Sequence, residues 1–121
     1  SEPEKGKQVA SPGMKYKHYA PKTESFLVEG KSEKFVSFVN SKTNAVAICF
    51  KEDVKKINIP TLCYGDEADE STLAHSVFSA LREVDKMGAC EVYIHAPSKS
   101  GIGLAVYNRL LRACGFKVIK L

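Results

Sequence analysis

From residue 25 onward, short apolar runs alternate with stretches in which apolar residues recur at three- and four-residue intervals. The runs SFLVE (25–29), AVAICF (45–50), TLCY (61–64), EVYIH (91–95) and the closing 116–121 have the length and composition of strands. AVAICF is apolar throughout, as a strand covered on both faces must be. Between the runs, Phe35, Val36, Phe38 and Val39 make the buried stripe of a helix over 32–42, with Ser32 as its N-cap and Glu33 in its first turn. A short helix is expected at 52–57, ended before Pro60. Leu73, Val77, Leu81 and Val84 mark one face of the longest helix. Asp66, Glu67, Asp69 and Glu70 put negative charge at its positive end, Lys86 falls in its last turn, and Gly88 stops it. A last helix covers 101–114, with Gly115 closing it.

Strands and helices in strict alternation, joined by short loops, define the class: α/β, a small open and mainly parallel five-stranded sheet with helices on both faces, Rossmann-like. The direction of the closing strand stays open, because edge strands of such sheets are often antiparallel. Residues 1–24 lack this periodicity and read as an extended linker ahead of one domain at 25–121.

Composition changes this picture little. With 44% hydrophobic and 26% charged residues the chain is ordinary for a globular domain, and no apolar run is long enough to span a membrane. The net charge of +4 is unevenly placed: five lysines face only two glutamates in residues 1–22, so the domain itself is close to neutral. A folded nucleic-acid-binding face would carry more of the basic charge. Cys49, Cys63, Cys90 and Cys114 form no Cys-x-x-Cys pair and read as reduced core or near-core residues, which favours the cytoplasm.

Open α/β sheets take ligands at the carboxyl ends of their strands, so the loop after the fourth strand is the first candidate. Ser98-Lys99-Ser100-Gly101-Ile102-Gly103 lacks two glycines of a phosphate-binding loop, and Gly101-x-Gly103 lacks the third glycine of a dinucleotide fingerprint. A helix N-terminus with small residues can still hold an anion, although close helix–sheet packing alone would also require these glycines. Asn108 and Arg109 sit beside or beyond the apolar stripe of the same helix and are candidates for a docking surface. The acidic run 66–70 reads as a solvated helix start rather than a Mg²⁺ site, and no metal site is expected. His75 and His95 lack neighbouring ligands in sequence and read as surface or hydrogen-bonded histidines; no catalytic residue is expected in this chain.

The linker is a different matter. Its segment Ser11-Pro12-Gly13-Met14-Lys15-Tyr16-Lys17-His18-Tyr19-Ala20-Pro21 interleaves cations with tyrosines between two prolines. It cannot bury a face of its own, so its aromatic and basic side chains are offered to a partner. Such a run stacks on bases while neutralising phosphates, or, stiffened by Pro12 and Pro21, serves as a lid. Composition leaves nucleic acid, nucleotide and protein open as the thing touched.

This segment closely resembles the interdomain linker of two-domain threonylcarbamoyl-AMP synthases, whose pattern is Ser-Pro-Gly-Met-(Lys/Arg)-Tyr-(Lys/Arg)-His-Tyr-(Ala/Ser)-Pro, and every position matches. The rest of the chain is similar to that family's C-terminal Rossmann-like domain, including Gly101-x-Gly103-x-Ala105-x-x-Asn108-Arg109-Leu110. The resemblance implies that a separate YrdC-type catalytic domain of the same parent chain joins L-threonine, bicarbonate and ATP, with Mg²⁺, into threonylcarbamoyl-AMP for tRNA threonylcarbamoyladenosine modification. It implies that residues 11–19 form a substrate and ATP lid over that domain's cleft. The domain would reach ATP and L-threonine only through its catalytic partner, hold no cofactor of its own, and not contact tRNA or a membrane directly. The isolated chain, which lacks the catalytic domain, is expected to be inactive. The alternative is a free-standing nucleotide- or RNA-binding module that uses its basic, aromatic tail.

Overall fold

A computed structural model describes residues 21–121; residues 11–19 of the linker motif lie outside them. The chain runs β1 (Glu24–Glu29), α1 (Ser32–Asn40), β2 (Ala45–Cys49), a 3-10 helix (Lys51–Lys56), β3 (Thr61–Cys63), α2 (Glu70–Val84), β4 (Glu91–His95), α3 (Gly101–Ala113) and β5 (Val118–Lys120). All strand pairings are parallel, the last included, and the sheet order is β3-β2-β4-β1-β5. The two edge strands have three residues each, which leaves little unpaired edge for another chain to join.

The order follows from right-handed crossovers. Moving from β1 to β2 and then β3 carries the chain toward one edge, so α1 and the 3-10 helix cover one face. The return to β4 and on to β5 reverses direction and puts α2 and α3 on the other face. Each face has its own core. Val28, Phe35, Val39, Ala47 and Tyr93 pack under α1. Leu27, Val46, Ile48, Leu73, Leu81, Ile94 and Leu110 pack under α2 and α3. β2 is buried at all five positions because neighbours flank it and helices cover it on both sides, which explains its unbroken apolar sequence.

Several local details differ from the sequence reading, among them the end of α2 at Val84, which leaves Arg82 rather than Lys86 in its last turn. The helix expected at 52–57 is a 3-10 helix one residue earlier, closed by Asp53 N–H to Phe50 O (3.0 Å) and Ile57 N–H to Val54 O (3.4 Å). The 3-10 form advances about 2.0 Å per residue against 1.5 Å for an α-helix, so six residues stretch further toward β3. Ser32 is not the N-cap of α1. Lys31 takes that extended position, and its carbonyl starts the ladder by accepting Phe35 N–H at 2.9 Å. Cys63 and Cys90 are exposed, whereas Cys49 and Cys114 are buried; all four are free thiols. Cys63 sits on the edge strand β3 and Cys90 in the loop just ahead of β4.

Other signals translate directly. Val36 and Phe38 flank the buried Phe35 and Val39 of α1, and Leu73, Val77, Leu81 and Val84 are all buried on α2. α3 ends in paired bonds from Gly115 N–H to Arg112 O (3.0 Å) and Phe116 N–H to Leu111 O (2.9 Å). This closure needs the left-handed conformation at position 115, where φ is +60°.

Candidate functional site at the strand switch point

Chain direction reverses between β1 and β4: α1 leaves β1 for one face, and α3 leaves β4 for the other. Their carboxyl ends therefore diverge, and an open sheet makes its ligand crevice at such a point. A cavity of about 270 Å³ lies there, lined by Glu29, Gly30, Glu67, His95, Ala96, Pro97, Ser98 and Lys99. A second cavity, of about 400 Å³, lies at the opposite end of β1, between residues 21–25 and 112–117. Its charged lining is mostly basic, with Lys22, Arg112 and Lys117 against Glu24.

His95 ends β4 and is only 2% exposed. Its ring stacks on Phe35 of α1 (centroids 4.4 Å apart, planes 5° from parallel) and tilts against Phe50 at 4.8 Å. Its Nε2 lies 2.6 Å from the Gly30 carbonyl, which can only accept, so Nε2 carries the proton and Nδ1 presents a lone pair. Nδ1 has no hydrogen-bond partner among the described residues. Burial pushes the imidazole pKa below its ordinary 6.5, despite the opposing pull of the Gly30 carbonyl and of the Glu67 and Asp53 charges. The His95 carbonyl accepts the buried Tyr64 hydroxyl at 2.6 Å, tying β4 to the end of β3.

Glu29, the last residue of β1, receives the Tyr107 hydroxyl of α3 and pairs with Lys99 Nζ at 3.1 Å. The Tyr107 bond and, after it, the Lys99 ammonium hold the Glu29 carboxyl below the usual carboxylate range, against the effect of burial. Lys99 also lies 4.9 Å from the centroid of the Tyr107 ring.

Glu70, in the first turn of α2, reaches across to the start of α3. It accepts Gly103 N–H at 3.2 Å and the Ser98 hydroxyl at 2.6 Å. The α3 N-terminus, expected to be available to an anion, thus already holds a carboxylate. Gly103 serves close packing: a Cβ there would come within 2.6 Å of the Ser98 carbonyl oxygen. Ser100 takes the extended N-cap position without a side-chain cap bond, and Gly101 adopts φ +59° at the first helical residue.

Of the residues singled out in the sequence, Ser98 and Lys99 line the cavity, whereas Ser100, Gly101 and Gly103 follow at the start of α3 outside its lining. Asn108 and Arg109 are elsewhere: both are exposed on α3, with the Arg109 guanidinium 5.9 Å from the Phe78 ring on α2. The sequence reading missed Glu29 and Tyr107, and it placed Glu67, Glu70 and His95 without a shared role. Only the strand-end rule pointed toward them. The acidic run is a turn bonded to itself, with Asp66 Oδ1 accepting Ala68 N–H (2.9 Å) and Asp69 Oδ1 accepting the Ser71 hydroxyl (2.7 Å). Among the described residues no cluster of three His, Cys, Asp or Glu side chains is arranged to hold a metal, and no helix is long and apolar enough to cross a membrane.

The fold and cavity define a small α/β domain: a parallel sheet with a polar switch-point pocket whose helix N-terminus is blocked by its own carboxylate. The sequence model of the threonylcarbamoyl-AMP synthase C-terminal domain matches residues 1–115, and the chain belongs to that family. It is 36% identical over 119 residues to threonylcarbamoyl-AMP synthase of Pyrococcus abyssi, covering 91% of this chain and 33% of that protein. The Bacillus subtilis enzyme of the same name is 30% identical over 116 residues, with the same coverage. This chain therefore spans about a third of the length of these curated relatives. Among solved structures, P. abyssi Sua5 complexed with L-threonine matches with a TM-score of 0.67 at 30% identity, over 96% of this chain and 36% of that one. The C-terminal Sua5 domain from Pyrococcus horikoshii matches with a TM-score of 0.64 at 27% identity, over 84% of this chain and 100% of that one.

Proposed function

We propose that this chain is the linker and accessory domain of an enzyme that makes threonylcarbamoyl-AMP from L-threonine, bicarbonate and ATP, supplying tRNA threonylcarbamoyladenosine modification in the cytoplasm. The observation that carries this reading is the family match over residues 1–115, which takes in both the 11–21 motif and the domain. The chemistry itself belongs to a YrdC-type catalytic domain in the parent chain, consistent with coverage of only a third of the relatives. ATP, with Mg²⁺, and L-threonine are its substrates.

In this reading residues 1–24 are the linker, residues 25–121 the domain, and Ser11 to Tyr19 the lid over the catalytic cleft. A carbamate and a carboxylic–phosphoric mixed anhydride both hydrolyse readily, so a cover that excludes water protects the intermediate and the product. Lys15 and Lys17 neutralise polyphosphate charge, while Tyr16, His18 and Tyr19 stack on or hydrogen-bond the nucleotide. A lid also needs a firm anchor. Asp85, just after α2, accepts Lys22 N–H (2.9 Å), Thr23 N–H (3.1 Å) and the Thr23 hydroxyl (3.2 Å) through one carboxylate oxygen. That bond set pins the chain where it joins β1.

The test replaces Tyr16 and Tyr19 with Ala in the two-domain parent and follows threonylcarbamoyl-AMP formation. Turnover is expected to fall at least about tenfold, or about 1.4 kcal/mol of transition-state stabilisation, with folding unchanged. Wild-type kinetics in the double variant would remove the lid role.

A further inference from the structure

The switch-point cavity has more to it than a loop held in place. Two carboxylates border it, Glu29 and Glu67, beside the buried ring of His95. Glu67 is exposed and makes no hydrogen bond or ion pair within the described residues. Against these stands one cation, Lys99, which spends one donor on Glu29 and keeps two.

We propose that this cavity is a binding site for a small ligand that carries an ammonium group and a carboxylate, the pattern of an amino acid. The ammonium would sit against Glu29 and Glu67, and the carboxylate would pair with Lys99.

Three observations support this chemistry over a nucleotide or phosphate. The helix N-terminus that usually cradles phosphate in such folds is filled, because Glu70 accepts Gly103 N–H. A phosphate in the cavity would face the carboxylates of Glu29 and Glu67 on its walls and of Glu70 behind Ser98, with one lysine to offset them. Size agrees as well: 270 Å³ is the space of roughly nine water molecules at about 30 Å³ each, enough for an amino acid but not for a nucleoside triphosphate.

This inference stands apart from the lid proposal, since it concerns the domain alone and its test reads no enzymatic rate. Residue-resolved NMR of the 121-residue chain is titrated with glycine, ethanolamine, inorganic phosphate and ATP, each to about 50 mM, which reaches the weak end of the affinity scale. Glycine should shift the amides of Gly30, Ala96, Ser98 and Lys99 saturably. Ethanolamine, which lacks the carboxylate, should bind about fivefold more weakly, and the exposed Glu67→Gln substitution should cost a similar factor. Phosphate and ATP should leave these amides still. The proposal is overturned if phosphate or ATP moves them more strongly than glycine, if neither amine moves them, or if Glu67→Gln leaves glycine affinity unchanged.

Discussion

The Glu70 carboxylate bonds to the backbone N–H of Gly103, thirty-three residues later in the chain, at 3.2 Å. One helix therefore caps the amino end of the next, and the cap also accepts the Ser98 hydroxyl that shapes the loop between β4 and α3. Glu70→Ala should destabilise the domain by about 1 kcal/mol, the usual worth of a helix cap. Gly103→Ala should cost about 1–3 kcal/mol, because its Cβ would be forced against the Ser98 carbonyl and the Glu70 side chain. Urea unfolding measures both. A neutral Gly103→Ala would mean that the approach is looser than described.

His95 makes stability depend on pH in one direction. Its folded pKa is below the ordinary value because burial disfavours the imidazolium, so the unfolded chain takes up a proton first as pH falls. Its contribution is fully present above about pH 6.5 and is lost as pH drops from there through the folded value. The urea midpoint should fall between about pH 7.5 and pH 5.5. His95→Phe, which keeps an aromatic ring between Phe35 and Phe50, should flatten that part of the profile even if overall stability drops.

Tyr107→Phe removes the donor chiefly responsible for the low Glu29 pKa. The Glu29 carboxyl, followed by its side-chain carbon resonance, should titrate at higher pH in the variant. Losing this bond should cost stability by about 1 kcal/mol. An unmoved Glu29 midpoint would show that Lys99 alone sets it.

Asp85→Ala tests the anchor of the linker. Three donors converge on one carboxylate oxygen, so the isolated chain should lose about 1–3 kcal/mol. In the two-domain parent the same change should lower turnover if the lid depends on a fixed hinge. Unaltered turnover with reduced stability would confine Asp85 to a structural part.

The elements themselves were legible along the chain. The five strands, the long helices and the Gly115 closure each rest on residues close in sequence: unbroken apolar runs, a four-residue rhythm, a glycine where the backbone turns left-handed. The failures were equally local. Ser32 has the side chain of an N-cap, but α1 begins one residue earlier. The exposure of Cys63 depends on β3 ending up at the edge of the sheet, which the sequence does not reveal. For the site, the strand-end rule drew attention to Ser98, Lys99 and Gly103, yet it could not supply what they touch.

What the sequence determined, then, is the series of strands and helices and the family to which the 11–21 motif and the domain belong, since periodicity and motif both live in neighbouring residues. The tertiary structure decided the β3-β2-β4-β1-β5 order and, through it, every pairing in the cavity. Glu29 meets Tyr107 across 78 positions, His95 meets Gly30 across 65, and Glu70 meets Gly103 across 33. Such contacts leave no local period. They arise because right-handed crossovers reverse direction between β1 and β4, bringing the ends of distant strands together.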